Sequence, residues 1–119
     1  IAQAENSSKV FRPWGWFESL LKTKDFQVKR ISVKPKSSLS LQSHQYRNEN
    51  WVVVEGQAKV ILDEESIDLQ VGQSIYIARG KKHRLSNHTK EDLIIIEVQT
   101  GTYFGEDDIT RYKDEYRRI

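Results

Sequence analysis

The stretch LQSHQYRNENWVVVEG, Leu41–Gly56, decides the fold. One of only three histidines stands two places after Gln42, Glu49 follows five places later, and Gly56 lies seven beyond that. Residues two apart on a β-strand share a face. In "LSLQSH" the alternation therefore sets Ser40, Gln42 and His44 on one side, with Leu39, Leu41 and Ser43 on the other. "WVVVEG" is a continuous apolar run closed by glycine, which reads as a buried strand and its turn.

The same grammar extends in both directions. "FQVKRISV" is rich in β-branched and aromatic residues and stops before Pro35. "QAKVIL" alternates into the charged turn "DEES"; "SIDLQVG" and "QSIYIARG" each close on glycine; "KKHRLSN" and "DLIIIEVQT" follow. Short strands at this spacing predict an all-β barrel or sandwich. Helix is admissible only near the ends. "WFESLLKT" (16–23) fits helix or strand, and "EDDITRYKDEYRR" could start a helix from an aspartate cap. Residues 1–9, small and polar, read as a linker or N-terminal arm, and 10–119 as one domain.

Composition narrows the function classes. Nineteen Lys and Arg against seventeen Asp and Glu leave a net charge of +2, without the basic stripe of a nucleic-acid binder. Cysteine is absent, so neither disulfides nor thiolate metal sites are available. No run approaches the roughly 18 apolar residues of a spanning helix, and no signal peptide opens the chain. The expected setting is the cytoplasm. Methionine is absent too, which suggests a piece of a longer gene product.

Gln42, His44, Glu49 and the later His83 make a set of one amide oxygen, one carboxylate and two imidazoles. In a small barrel these can converge on one divalent ion, Zn²⁺ or one of Mn²⁺, Co²⁺, Ni²⁺ and Fe²⁺, with open positions for water or substrate. The spacing resembles the two motifs of the cupin superfamily. Gln42, His44, Glu49 and Gly56 match the first, with Gln in place of a first His. Gly72, Gly80, His83 and Asn87 match the second, with Ala78 at the usual Pro. That resemblance implies a double-stranded β-helix, or jelly-roll barrel.

A closer resemblance covers about residues 10–117. "FRPWGWFESL", "NWVVVEG", "HRLSN" and "EVQTGTYFGEDDI" are similar to the type II phosphomannose isomerase cupin, often the C-terminal part of mannose-1-phosphate guanylyltransferase/mannose-6-phosphate isomerases. The resemblance implies interconversion of mannose 6-phosphate and fructose 6-phosphate, a guanylyltransferase domain elsewhere in the parent chain, and a homodimer contacted through "VFRPWGWF". The family commonly reads "HHHRAEHW" where this chain has "HQYRNENW", so Gln45, Tyr46 and Asn50 stand at histidine positions. Glu49, Lys34 or Tyr46 is then the candidate base. Arg47, Lys81 or Lys82 is the candidate phosphate ligand, with Arg47 and Tyr46 also facing substrate.

Plainer roles are expected for several neighbours. His88 in "NHTKED" reads as a surface residue, and Arg12, Trp14 and Trp16 as packing. Arg84 should face away from His83. Glu97, a charge inside "IIIEVQ", is either a pocket carboxylate or an edge residue. Two other functions remain open: a cupin enzyme acting on another sugar, and a non-catalytic sugar-binding or dimerising module.

Overall fold

The computed structural model describes residues 8–112. Its strands run β1 (Val10–Arg12), β2 (Gly15–Lys22), β3 (Phe26–Val33), β4 (Ser37–Ser38), β5 (Gln42–Ser43) and β6 (Arg47–Glu55). They continue as β7 (Ala58–Leu62), β8 (Glu65–Leu69), β9 (Ser74–Ile77), β10 (His83–Asn87), β11 (Leu93–Gly101) and β12 (Thr110–Arg111). One six-stranded sheet orders β1-β2-β3-β11-β6-β9; the second orders β12-β5-β10-β7-β8, with β4 also paired to β10. All pairings are antiparallel. Among the described residues there is no helix, and none long and apolar enough to cross a membrane.

The ambiguous "WFESLLKT" is strand β2, hydrogen-bonded along β3 from Gly15↔Val33 to Lys22↔Gln27. Tertiary pairing here decides between two local fits. Of the candidate C-terminal helix, Glu106–Tyr112 forms a turn and β12 instead, and residues beyond 112 lie outside the described region. "LSLQSH" also differs from the expected alternation. Only Gln42 and Ser43 are strand, and Leu39 and Ser40 both border the main cavity. Leu39 is tied to β10 by its N–H to the Leu85 carbonyl at 3.0 Å and by its carbonyl to Arg84 Nε at 3.1 Å.

Registers across β3, β11 and β6 stack the inward residues in layers. Ile31, Ile95 and Val53 form one layer, and Lys29, Glu97 and Trp51 the next. Gln27, Gln99 and Glu49 form the third. The interior thus changes from apolar to polar along the strands. At the apolar end Val33, Val60, Leu85, Leu93 and Ile95 are almost completely buried. This end supplies the hydrophobic stabilisation. The other end is lined by charge pairs and hydrogen bonds, opens to solvent and holds the site.

Candidate metal centre

Two sheets supply the donors. Inward position 49 of β6 carries Glu49, β10 opens with His83, and His44 directly follows β5, whose Gln42 lies opposite His83. His44, Glu49 and His83 are all buried, and their donor atoms lie within 4.8 Å of one another. Nearest approaches are 3.3 Å for His44 Nε2 to Glu49 Oε2 and 3.8 Å for His83 Nε2 to Glu49 Oε1.

Ring orientation follows from the partners. His44 Nδ1 lies 2.6 Å from the Asp108 carbonyl, and His83 Nδ1 lies 3.0 Å from the Lys81 carbonyl. A carbonyl only accepts, so each Nδ1 carries the proton and each Nε2 presents its lone pair. Burial, then the Arg47 charge, pushes His44 down to about 4. Burial also holds His83 below the usual histidine value. Both rings are therefore neutral at pH 7, the form that ligates metal.

Arg47, buried on β6, is paired with this cluster. Its Nε donates to Glu49 Oε2 at 2.8 Å, and one terminal nitrogen donates to His44 Nε2 at 3.2 Å. One guanidinium thus holds two lone-pair atoms close together. A carboxylate and an imidazole that gather around one cation in this way, with the neutral imidazole of His83 beside them, suit a divalent ion of the zinc or manganese type. Gln42 borders the same cavity, and its amide nitrogen turns to Ser40 (3.1 Å to Oγ), so Oε1 is its ligand-capable atom.

Glu97 is the carboxyl that the sequence left undecided, and it lies inside. It is 4 % exposed and borders the cavity beside Glu49. Burial, then the charge of Glu49 and a hydrogen bond with it, pushes Glu97 up to about 8. Trp51 Nε1 donates to Glu49 Oε1 at 3.0 Å and lies 3.4 Å from Glu97 Oε2, tying the two carboxyls together.

The cavity holds about 230 Å³. Its wall includes the cations Arg12, Lys29, Arg47, Arg84 and Arg111. Arg12 and Arg111 are exposed and mark the open mouth. Lys29 is buried and paired with Glu106 at 2.6 Å.

Several expected site residues lie elsewhere. Lys34 is exposed just past β3, its N–H bonded to the Trp14 carbonyl, and does not border the cavity. Lys81 pairs with Asp63 at 3.1 Å, and Lys82 lies over the Tyr112 ring; both are exposed at the turn before His83 and outside the cavity wall. Tyr46 is 53 % exposed and packs edge-on to Tyr103. Gln45 and Asn50 are exposed as well, so none of the three positions that depart from histidine borders this cavity. His88 is exposed. Conversely, Arg12 and Trp14 of "RPWGW" do border the cavity, as does Arg84, whose side chain folds back over Leu39. The presence of Arg, Trp and Gly in one short arm was the available signal for the first two; alternation alone misplaced Arg84.

A double-stranded β-helix with a His–Glu–His cluster at its open end defines a cupin-type protein. Solved structures share the fold. The capsular polysaccharide assembling protein CapF from Staphylococcus aureus superposes with TM-score 0.78 at 23 % identity, over 91 % of this chain and 32 % of that one. A double-stranded β-helix protein from Klebsiella pneumoniae gives 0.73 at 18 % identity, over 92 % and 88 %. The chain belongs to the family described as Mannose-6-phosphate isomerase C-terminal, whose profile matches residues 2–114.

Its relatives include the xanthan biosynthesis protein XanB of Xanthomonas campestris, 53 % identical over 92 % of this chain and 24 % of the relative. The alginate biosynthesis protein AlgA of Pseudomonas syringae is 51 % identical over 98 % and 24 %. A mannose-1-phosphate guanylyltransferase of Escherichia coli is 47 % identical over 93 % and 23 %. The chain thus spans about a quarter of the length of the curated relatives it matches.

Proposed function

We propose that this chain is the isomerase portion of a longer protein, interconverting mannose 6-phosphate and fructose 6-phosphate, and that the remainder of the parent is a guanylyltransferase. The observation that carries this reading is the shared wall on which His44, Glu49, His83 and the buried Glu97 face one cavity. An aldose–ketose isomerisation moves a proton between C1 and C2, and negative charge develops on a sugar oxygen. His44, Glu49 and His83, with Gln42 as fourth donor, would hold a divalent ion, which when bound would supply Lewis-acid stabilisation of that charge.

The chain's own groups do the rest. Glu97 is the carboxyl that, once ionised, takes the carbon-bound proton and returns it; Lys34 and Tyr46 are exposed and outside the cavity wall, which favours Glu97 over them. Arg47 keeps Glu49 oriented and offers a donor to the substrate oxygens. The wall residues Arg12, Arg84 and Arg111, the first and last at the mouth, suit the phosphate, by charge and by the bidentate guanidinium fork, better than Lys81 and Lys82. Of the arm expected at a homodimer contact, Phe11 is a large apolar residue turned outward, 69 % exposed, whereas Trp14 and Phe17 pack against the core.

The test is a coupled assay of mannose 6-phosphate turnover with each divalent ion, on the wild type, His44→Ala and Glu97→Gln. Ion-dependent turnover that vanishes in His44→Ala is expected. Glu97→Gln should lose a factor of about 10²–10⁴ in kcat, the range for a positioned acid–base group. A folded, ion-binding wild type with no turnover overturns the reading.

A further inference from the structure

The segment after β11 folds back over the open end of the barrel and touches both sheets. Phe104 is buried, and Glu106 pairs with Lys29 of β3. β12 then joins the second sheet by pairing with β5, Thr110↔Ser43 and Arg111↔Gln42. Tyr112 adds its N–H to the Leu41 carbonyl at 2.9 Å and its hydroxyl to Ser43 Oγ at 2.8 Å. β5 needs this support. It is two residues long, and its pairing with β10 rests on the single register His83↔Gln42.

At the centre of the strap is Asp108, 7 % exposed and with three bonds to the donor loop. Its carboxylate accepts the N–H groups of Gln45 and Tyr46 at 2.8 and 3.0 Å. Its carbonyl accepts His44 Nδ1–H at 2.6 Å. Arg47 makes the complementary demand from the other side of the ring, because a guanidinium only donates and therefore requires a lone pair on Nε2. Both neighbours enforce one tautomer and one ring orientation.

We propose that this strap serves the metal centre through Asp108 and through the pairing of β12 and Tyr112 with β5, with Asp108 as the positioning residue that holds His44 with Nε2 toward the cavity. The proposal rests on the reading of the cluster as a divalent-ion site and is independent of which sugar reacts there. Removing the carboxylate releases the Gln45 and Tyr46 N–H groups and leaves the loop to the carbonyl bonds of His44 with Gly80 and of Tyr46 with Thr102. The carbonyl of residue 108 and the imidazole then no longer stay in register, and the donor is presented only part of the time. Outer partners of metal-ligating histidines typically govern about 10- to 100-fold in affinity.

The experiment compares the wild type, Asp108→Ala and Asp108→Asn with Asp107→Ala. Asp107 is a control of equal charge whose carboxylate accepts the Tyr103 hydroxyl instead. Two readouts are used: long-range ¹H–¹⁵N spectra of the histidine rings in chelator-treated protein, and calorimetric titration with Zn²⁺. The wild type should show His44 protonated on Nδ1. Asp108→Ala should show a mixture of tautomers and bind Zn²⁺ about 10- to 100-fold more weakly. Asp108→Asn, which keeps one accepting oxygen, should fall between, and Asp107→Ala should match the wild type.

If Asp108→Ala does not fold, Asp108→Asn and Tyr112→Phe decide the matter by the same readouts. A folded Asp108 variant with wild-type tautomer and Zn²⁺ affinity overturns the proposal. So does a wild type with the His44 proton on Nε2, or one that takes up no Zn²⁺. A wild type that binds Zn²⁺ through the strap-held His44 but lacks turnover removes the isomerase reading and leaves this one standing.

Discussion

Arg47 places one guanidinium on two of the three clustered donor residues, Glu49 and His44. A divalent ion seeks the same lone pairs and is repelled by the same positive charge. At an effective dielectric of about 20, unit charges about 4 Å apart interact by roughly 4 kcal/mol, far more than the 1.4 kcal/mol of a tenfold affinity change. Arg47→Met, which removes the charge and keeps the bulk, should therefore bind Zn²⁺ at least about tenfold more tightly by calorimetry. Glu49 stays oriented in that variant because Trp51 still holds Oε1. A fall in affinity would instead show that Arg47's chief effect is to hold the donors in place. At this scale the sequence exposed His44, Glu49 and His83 through their spacing, and it flagged Glu97 as a charge within an apolar run. It hid Asp108, whose partners His44, Gln45 and Tyr46 lie 62 to 64 residues away in the chain.

The two motifs use glycine differently, and the elements around it show why. Gly56 ends β6 at φ +85°, and a Cβ there would stand 2.4 Å from the Asp92 carbonyl oxygen and 3.1 Å from Leu93 Cα. It is required both for its backbone conformation and for the close approach of the β11 start. Gly80 has φ +86° with open space around it, so only conformation is at stake. In urea melts Gly80→Ala should cost about 1–2 kcal/mol, the price of a left-handed L-residue. Gly56→Ala should cost about 3 kcal/mol or more, because backbone atoms cannot move aside. Equal losses would refute the close-approach role of Gly56. The longer strands were legible from composition and punctuation: β3 matches "FQVKRISV" end to end. The strand read at "LSLQSH" forms only at Gln42–Ser43, and β12 was not legible, since two-residue strands carry no periodicity of their own and exist because a neighbour supplies the hydrogen bonds.

Over the whole molecule, the barrel divides its work by depth. The layers from Val33–Leu93 to Ile31–Ile95–Val53 are apolar; those from Lys29–Glu97–Trp51 to Gln27–Gln99–Glu49 are polar with Trp51 as the apolar exception. Stability and chemistry should then be separable by mutation. Leu93→Ala, at a fully buried position two layers from Glu97, should lose about 2–5 kcal/mol in urea unfolding, the usual range for such a cavity. The folded variant should keep its Zn²⁺ affinity within about twofold. A large loss of affinity would mean that the apolar end transmits strain to the donors.

The sequence by itself determined the all-β class, the strand-and-glycine spacing, the cupin motifs and the histidines and carboxylate at the heart of the site. These are local patterns, written in periodicity and in distances of a few residues along the chain. Only the tertiary structure decided which cations border the cavity, that Gln45, Tyr46 and Asn50 turn away from it, and that the C-terminal strap returns to grip His44. Those outcomes depend on sheet register and on chain closure over some sixty residues. No local preference encodes either; both arise when the two sheets close on one interior.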